Sequence, residues 1–166
     1  MSAAARSLID EGHQVTLHAR SRERASAVDD LASRSAGVVV GELRSAVETK
    51  SVADQVNTIG RMDAVIHNAG AYSTKGRSPT QEGHATVLAV NRLAPYLLTA
   101  LIQRPRRLVY LSSGMHRGGS GALRDIDWIE RRAGSENGRP GSAGRFRDGL
   151  SHAKPGSPSA LIRLRP

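Results

Sequence analysis

Asp63-Ala64-Val65-Ile66-His67-Asn68-Ala69-Gly70 reads as a short strand running straight into a tight turn. The apolar run from Ala64 to Ile66 is the pattern of a buried strand. Gly70 lets the backbone approach a neighbour closely, where a side chain would collide. In a doubly wound sheet, ligands gather at the carboxyl ends of the strands. A strand that ends in Asn68-Ala69-Gly70 is therefore a candidate cofactor edge.

Upstream of this stretch, residues 2–11 predict a helix closed by Gly12, a residue suited to a helix C-terminus. Residues 13–19 alternate polar and apolar side chains with period two and predict a strand. Ser21 is a candidate N-cap for a helix reaching about Ser33, with Glu23 in its first turn, where the helix dipole favours an acid. Ala25, Val28, Leu31 and Ala32 share one side of it. Val38-Val39-Val40 predicts another strand, followed by the turn Gly41-Glu42-Leu43. Val52, Val56 and Ile59 then fall at helical spacing within residues 47–59.

Downstream, a long helix is predicted from Gln81 to residue 102, with Val87, Val90, Leu93, Leu97, Leu98 and Leu101 inward. Pro95 has no N–H to give and should kink it. Residues 107–111 predict a last strand, leading into Ser112-Ser113-Gly114. Alternating strands and helices predict an α/β fold, a Rossmann-like doubly wound parallel sheet.

A chain of 166 residues suits one domain with a sizeable core. It contains no cysteine, which excludes disulfides and thiolate metal sites and leads us to expect a cytoplasmic location. The spacing of its histidines, His67, His84 and His116 among them, gives no metal motif. No apolar run approaches the ~18 residues of a membrane span, and Ala3 to Ala5 followed by Arg6 is not the order of a secretory signal. No membrane partner is expected.

The net charge is +9, and +6 of it falls in residues 131–166, where seven Arg and one Lys face Glu136 and Asp148. A basic tail attracts polyanions, but this one lacks interleaved aromatics and a helical face, so a solvated tail is expected rather than a nucleic-acid arm. Gly, Ser, Pro and Arg dominate after Arg131, and apolar residues cluster again only at Ala160-Leu161-Ile162. Residues 1–130 thus read as a partial nucleotide-binding domain and 131–166 as a tail too polar to offset its ordering entropy.

The order strand, Asn68-Ala69-Gly70, long helix with Asn91, strand, Ser112-Ser113 resembles the short-chain dehydrogenase/reductase family over roughly residues 1–130. The resemblance implies NAD(P)-dependent hydride transfer between nicotinamide and a small carbonyl or alcohol substrate. It implies that Asn68, Ala69 and Gly70 border the cofactor, that Asn91 holds a water in the proton relay, and that Ser113 steadies the substrate carbonyl. Residues 113–128, with His116, Asp125, Ile126, Asp127 and Trp128, look like the retinol-dehydrogenase-like branch. Arg20 ends the strand whose last residue selects the cofactor, and a guanidinium there suits the 2′-phosphate of NADP over the free hydroxyl of NAD. Glu42-Leu43 resembles the acidic and apolar pair beside the adenine. Each residue also has a plain structural alternative: a solvated Arg20, an Asn91 bonded within its own helix, a Ser113 in a turn.

The same resemblance implies losses. Met1 falls inside what resembles the first helix, so the first strand and its Gly-rich diphosphate turn have no counterpart. The strands at Val15 and Val65 would then carry unpaired edges at the sheet centre. The Tyr-x-x-x-Lys pair is missing too: Tyr72, Tyr96 and Tyr110 all precede Ser113, and Lys154 has Leu150 four residues before it. Weak NADP (or NAD) binding and impaired catalysis are expected. The change near Arg131 fits a shifted reading frame, which sequencing the encoding DNA would test. The alternatives are a non-catalytic partner that pairs with a complete relative through the helix from Gln81, and a nucleic-acid binder acting through the tail.

Overall fold

The computed structural model describes residues 3–26, 29–71, 78–111, 127 and 160–163. The elements run α1 (Ala3–Asp10), β1 (Gln14–Ala19), α2 (Arg22–Ser26), α3 (Asp29–Ala32), β2 (Gly37–Val40), α4 (Ala46–Ile59) and β3 (Ala64–His67). A continuous helical stretch follows, built of α5 (Thr86–Leu88), a π-helical turn (Ala89–Leu93) and α6 (Ala94–Leu101). Strands β4 (Arg107–Tyr110) and β5 (Ala160–Arg163) complete the set.

The sheet order is β2-β1-β5-β3-β4. β1 is parallel to β2 and β3 to β4, while β5 runs antiparallel to both β1 and β3. All four of the earlier strands therefore point the same way, and their carboxyl ends share one edge. Alternate side chains feed two cores, as a sheet covered on both faces requires. Val39 and Val65 pack with Val52, Val56, Val90 and Leu98 on one face. On the other, Ala64, Val15 and Leu17 pack with Ala5 and Leu31.

β5 overturns the expectation of bare edges at the sheet centre. Two rows of buried peptide groups without partners would be costly, and the tail's apolar triplet supplies them. Ile162 registers with both Val15 and Ala64, and Ala160 with both Leu17 and Ile66. The sheet is thus mixed rather than wholly parallel.

The long helix also differs from expectation, beginning at Thr86 rather than Gln81. Gly83, at φ +86°, turns the chain, and Thr80 N–H donates to the His84 carbonyl at 2.7 Å. Only beyond Pro79, bridged to Ala85, does the helix start. The π turn lies immediately before Pro95, which stands in the first turn of α6. Of the residues expected inward, Leu98 is buried but Leu101 is 40% exposed.

Gly12, at φ +87°, closes α1 as expected. Gly41 matters for another reason. A methyl added there would lie 2.6 Å from Val52 Cγ2 and 3.1 Å from the Glu48 carbonyl oxygen. We expect Gly41→Ala to destabilise the chain by about 1–3 kcal/mol, the usual range for overpacking, read as a lower urea midpoint at unchanged slope.

Candidate functional site

The carboxyl edge of the parallel strands brings together Arg20 after β1, Gly41-Glu42-Leu43 after β2 and Asn68-Ala69-Gly70 after β3. Arg20 is exposed and Leu43 is buried. Glu42 is held on several sides: its N–H donates to Glu48 Oε2 at 2.8 Å, and its carboxylate accepts from the Arg44 N–H at 3.3 Å. Glu42 also pairs with the Arg44 guanidinium at 3.3 Å. Ser45 caps α4 by accepting from the Glu48 N–H, which fixes the helix start just behind this turn.

His18, which sequence reasoning missed, lies beneath. Its Nε2 donates to the Gly41 carbonyl at 2.7 Å, and the ring is buried. Burial holds its pKa below the ordinary value, against the smaller opposing influences of the Gly41 carbonyl and Glu42. A neutral imidazole thus pins the end of β2. Its alternation hid it: Thr16 and His18 hold the polar phase of a strand that is buried on both faces.

The turn after β3 is tied to the helix by a reciprocal pair. Ala71 N–H donates to Asn91 Oδ1 at 2.7 Å, and Asn91 Nδ2 donates to the Ala71 carbonyl at 2.9 Å. The amide imitates a strand neighbour and is only 1% exposed. Asn91 occupies the middle of the π turn, a distortion often found at functional positions. The structure thus brings Asn91 to Asn68-Ala69-Gly70, whereas Ser113 lies outside the described residues.

Below the edge, His67 stacks on Tyr110 with ring centroids 4.8 Å apart. Its Nε2 lies 3.3 Å from Thr99 Oγ1, which in turn lies 2.6 Å from the Tyr110 hydroxyl. Burial pushes the His67 pKa down to about 4. Among the described residues no group of three His, Asp or Glu could hold a metal.

Asp127 contributes at the helix start. One carboxylate oxygen accepts from the Ala85 N–H at 2.5 Å, and the other meets His84 Nδ1 at 3.2 Å. Ala85 has no side chain able to cap the helix, and Asp127, from a distance in sequence, instead anchors the N–H of Ala85 itself. Nothing in local spacing could reveal it.

A dinucleotide fits this edge in part. Exposed Arg20 offers a cation on the adenosine side, whereas Leu43 is packed into the core with Val39 and Val52. The diphosphate side does not fit among the described residues, because the strand at the sheet centre is antiparallel. β5 presents its amino end, Ala160, toward the edge, and so offers no strand-to-helix turn there.

A family model for short chain dehydrogenase matches residues 2–110. The chain belongs to this family. It is 44% identical over 128 residues to short-chain dehydrogenase chyC of Penicillium rubens, covering 77% of this chain and 49% of the relative. It is 42% identical to short-chain dehydrogenase chry4 of Gibberella zeae, with the same coverages. Dehydrogenase/reductase SDR family member 13 of Bos taurus is 36% identical over 68% of this chain and 32% of its own length. The chain thus spans about half the length, or less, of these curated relatives. Among solved structures, a metagenomic short-chain oxidoreductase in complex with NADP is 26% identical at a TM-score of 0.51, over 65% of this chain and 54% of that one. A blue fluorescent protein from a metagenomic library, in complex with NADPH, shares the fold at 18% identity and a TM-score of 0.54, over 69% of this chain and 52% of that one. No helix among the described residues is long and apolar enough to cross a membrane.

Proposed function

We propose that this short-chain dehydrogenase carries the cofactor-edge scaffold of an NAD(P)-dependent oxidoreductase, with NADP preferred, and that the chain by itself binds cofactor weakly and turns over negligibly. The reaction of a complete enzyme would be hydride transfer between nicotinamide and a carbonyl or alcohol. The observation that carries this reading is the convergence of Arg20, Leu43 and the Asn91-anchored Asn68-Ala69-Gly70 turn on one edge of four parallel strands. In this reading Asn91 is a positioning residue whose side chain holds the turn, and Ser113 would orient the substrate carbonyl. The impairment in this reading rests on residues 114–166, none of which is a tyrosine able to act as the phenolic acid.

Equilibrium titration with NADPH and NADH tests the cofactor side. Arg20→Glu should weaken NADPH binding about tenfold, the equivalent of ~1.4 kcal/mol, and leave NADH nearly unchanged. NADPH binding that is tight, or indifferent to Arg20, contradicts the proposal.

A second reading, a non-catalytic partner of a complete relative, draws on exposed apolar side chains along α6 and β4. Tyr96 is 72% exposed, and Leu108, Val109, Tyr110 and Leu111 between 38% and 50%. Co-purification with a full-length relative would favour it. The basic segment that a nucleic-acid reading needs lies mostly outside the described residues; loss of salt-dependent binding on deleting residues 131–166 would support that reading.

A further inference from the structure

We infer that the gap between β1 and β3 is a strand-binding site, and that Ala160–Arg163 is its tethered occupant. The ligand class is an extended, mainly apolar peptide of about one strand's length, recognised through its backbone as in other cases of strand addition. β1 and β3 point the same way and each turns a ladder edge toward the gap. The occupant satisfies both, with Gln14↔Arg163, Val15↔Ile162, Thr16↔Leu161 and Leu17↔Ala160 on one side. On the other it registers Ala64↔Ile162, Val65↔Leu161 and Ile66↔Ala160.

The tail offers one segment fit for this place. A central strand is covered on both faces and must be apolar, and Ala160-Leu161-Ile162 is the only run of three such residues after Arg131. Pro158 and Pro166 bracket it. Neither can donate to a ladder, so the inserted strand stays short. Its direction has a consequence: Arg163 ends the strand beside Gln14, at the edge opposite the cofactor side. This inference stands apart from the cofactor reading, since strand pairing is measured without any cofactor.

The chain has no cysteine, so introduced pairs report cleanly. Two double variants of the full chain, Gln14→Cys with Arg163→Cys and Val15→Cys with Ile162→Cys, sample adjacent rungs, which alternate between bonded and non-bonded pairs in an antiparallel ladder. Oxidation should shift at least one of them to a cross-linked monomer on a non-reducing gel, reversed by reductant. Gln14→Cys with Ala160→Cys should not cross-link, because three residues of strand, roughly 10 Å, separate those positions in this register. Cross-linking of that control in place of the others overturns the inference, as does failure of both designed pairs. A disulfide-linked dimer also overturns it, since the occupant would then come from a second copy. Hydrogen exchange on the unsubstituted chain removes any dependence on variants folding: amides of 160–163 should be protected along with β1 and β3, and fast exchange there would refute the insertion.

Discussion

Lowering the pH from 7 to 4 should destabilise the chain by up to about 3 kcal/mol through His67 alone, at ~1.4 kcal/mol per unit of pKa displacement. The imidazole's pKa is pushed down to about 4 by burial, from an ordinary value of 6.5. Above pH 6.5 the ring is neutral in both folded and unfolded chains, so the stabilisation is fully present. As the pH falls from 6.5 toward 4, only the unfolded chain takes up the proton, and stability is lost. Below about 4 both states are protonated and the loss levels off. His18 adds to the same trend, because burial lowers its pKa as well. Urea unfolding of wild type and His67→Phe at pH 7, 5.5 and 4 checks this. The variant should lose much of the pH dependence while keeping the stacking position beside Tyr110. A wild-type stability that does not change between pH 7 and 4 would refute the assignment.

Asn91→Ala should cost about 2–3 kcal/mol. It removes two hydrogen bonds at ~1 kcal/mol each and leaves the Ala71 peptide groups without the partner they face. The damage is directional. Asn91→Asp would keep an acceptor for the Ala71 N–H but set a carboxylate oxygen against the Ala71 carbonyl, so it should be no better than alanine. Unfolding midpoints for both variants test this. A cost below ~0.5 kcal/mol for Asn91→Ala would show that the turn after Gly70 stands without the helix.

Most of this architecture is written locally. The strands at residues 13–19, 38–40, 64–66 and 107–111, and the helix ending at Ile59, follow from apolar spacing, and the structure moves their limits by only one or two residues. The start of the long helix was misplaced because helical spacing at Val87 and Val90 says nothing about Gly83, whose positive φ turns the chain first. Asn91 and the Asn68-Ala69-Gly70 turn were legible as a spaced pattern, but the reciprocal bonds to Ala71 were not. Such pairings depend on where a helix lies over a strand end. His18 beneath Gly41 and Asp127 above Ala85 are likewise products of tertiary placement. The largest miss was β5. Composition marks residues 131–166 as polar and irregular, yet a sheet with two facing ladder edges can recruit a few apolar residues from far along the chain.

Carbonyl reduction by the purified chain with saturating NADPH and a simple aldehyde tests the account most directly. A chain that supplies the edge scaffold without a phenolic acid should turn over at least about 10²-fold more slowly than a full-length relative, the usual worth of a positioned general acid. Turnover within a few-fold of that relative would contradict the account.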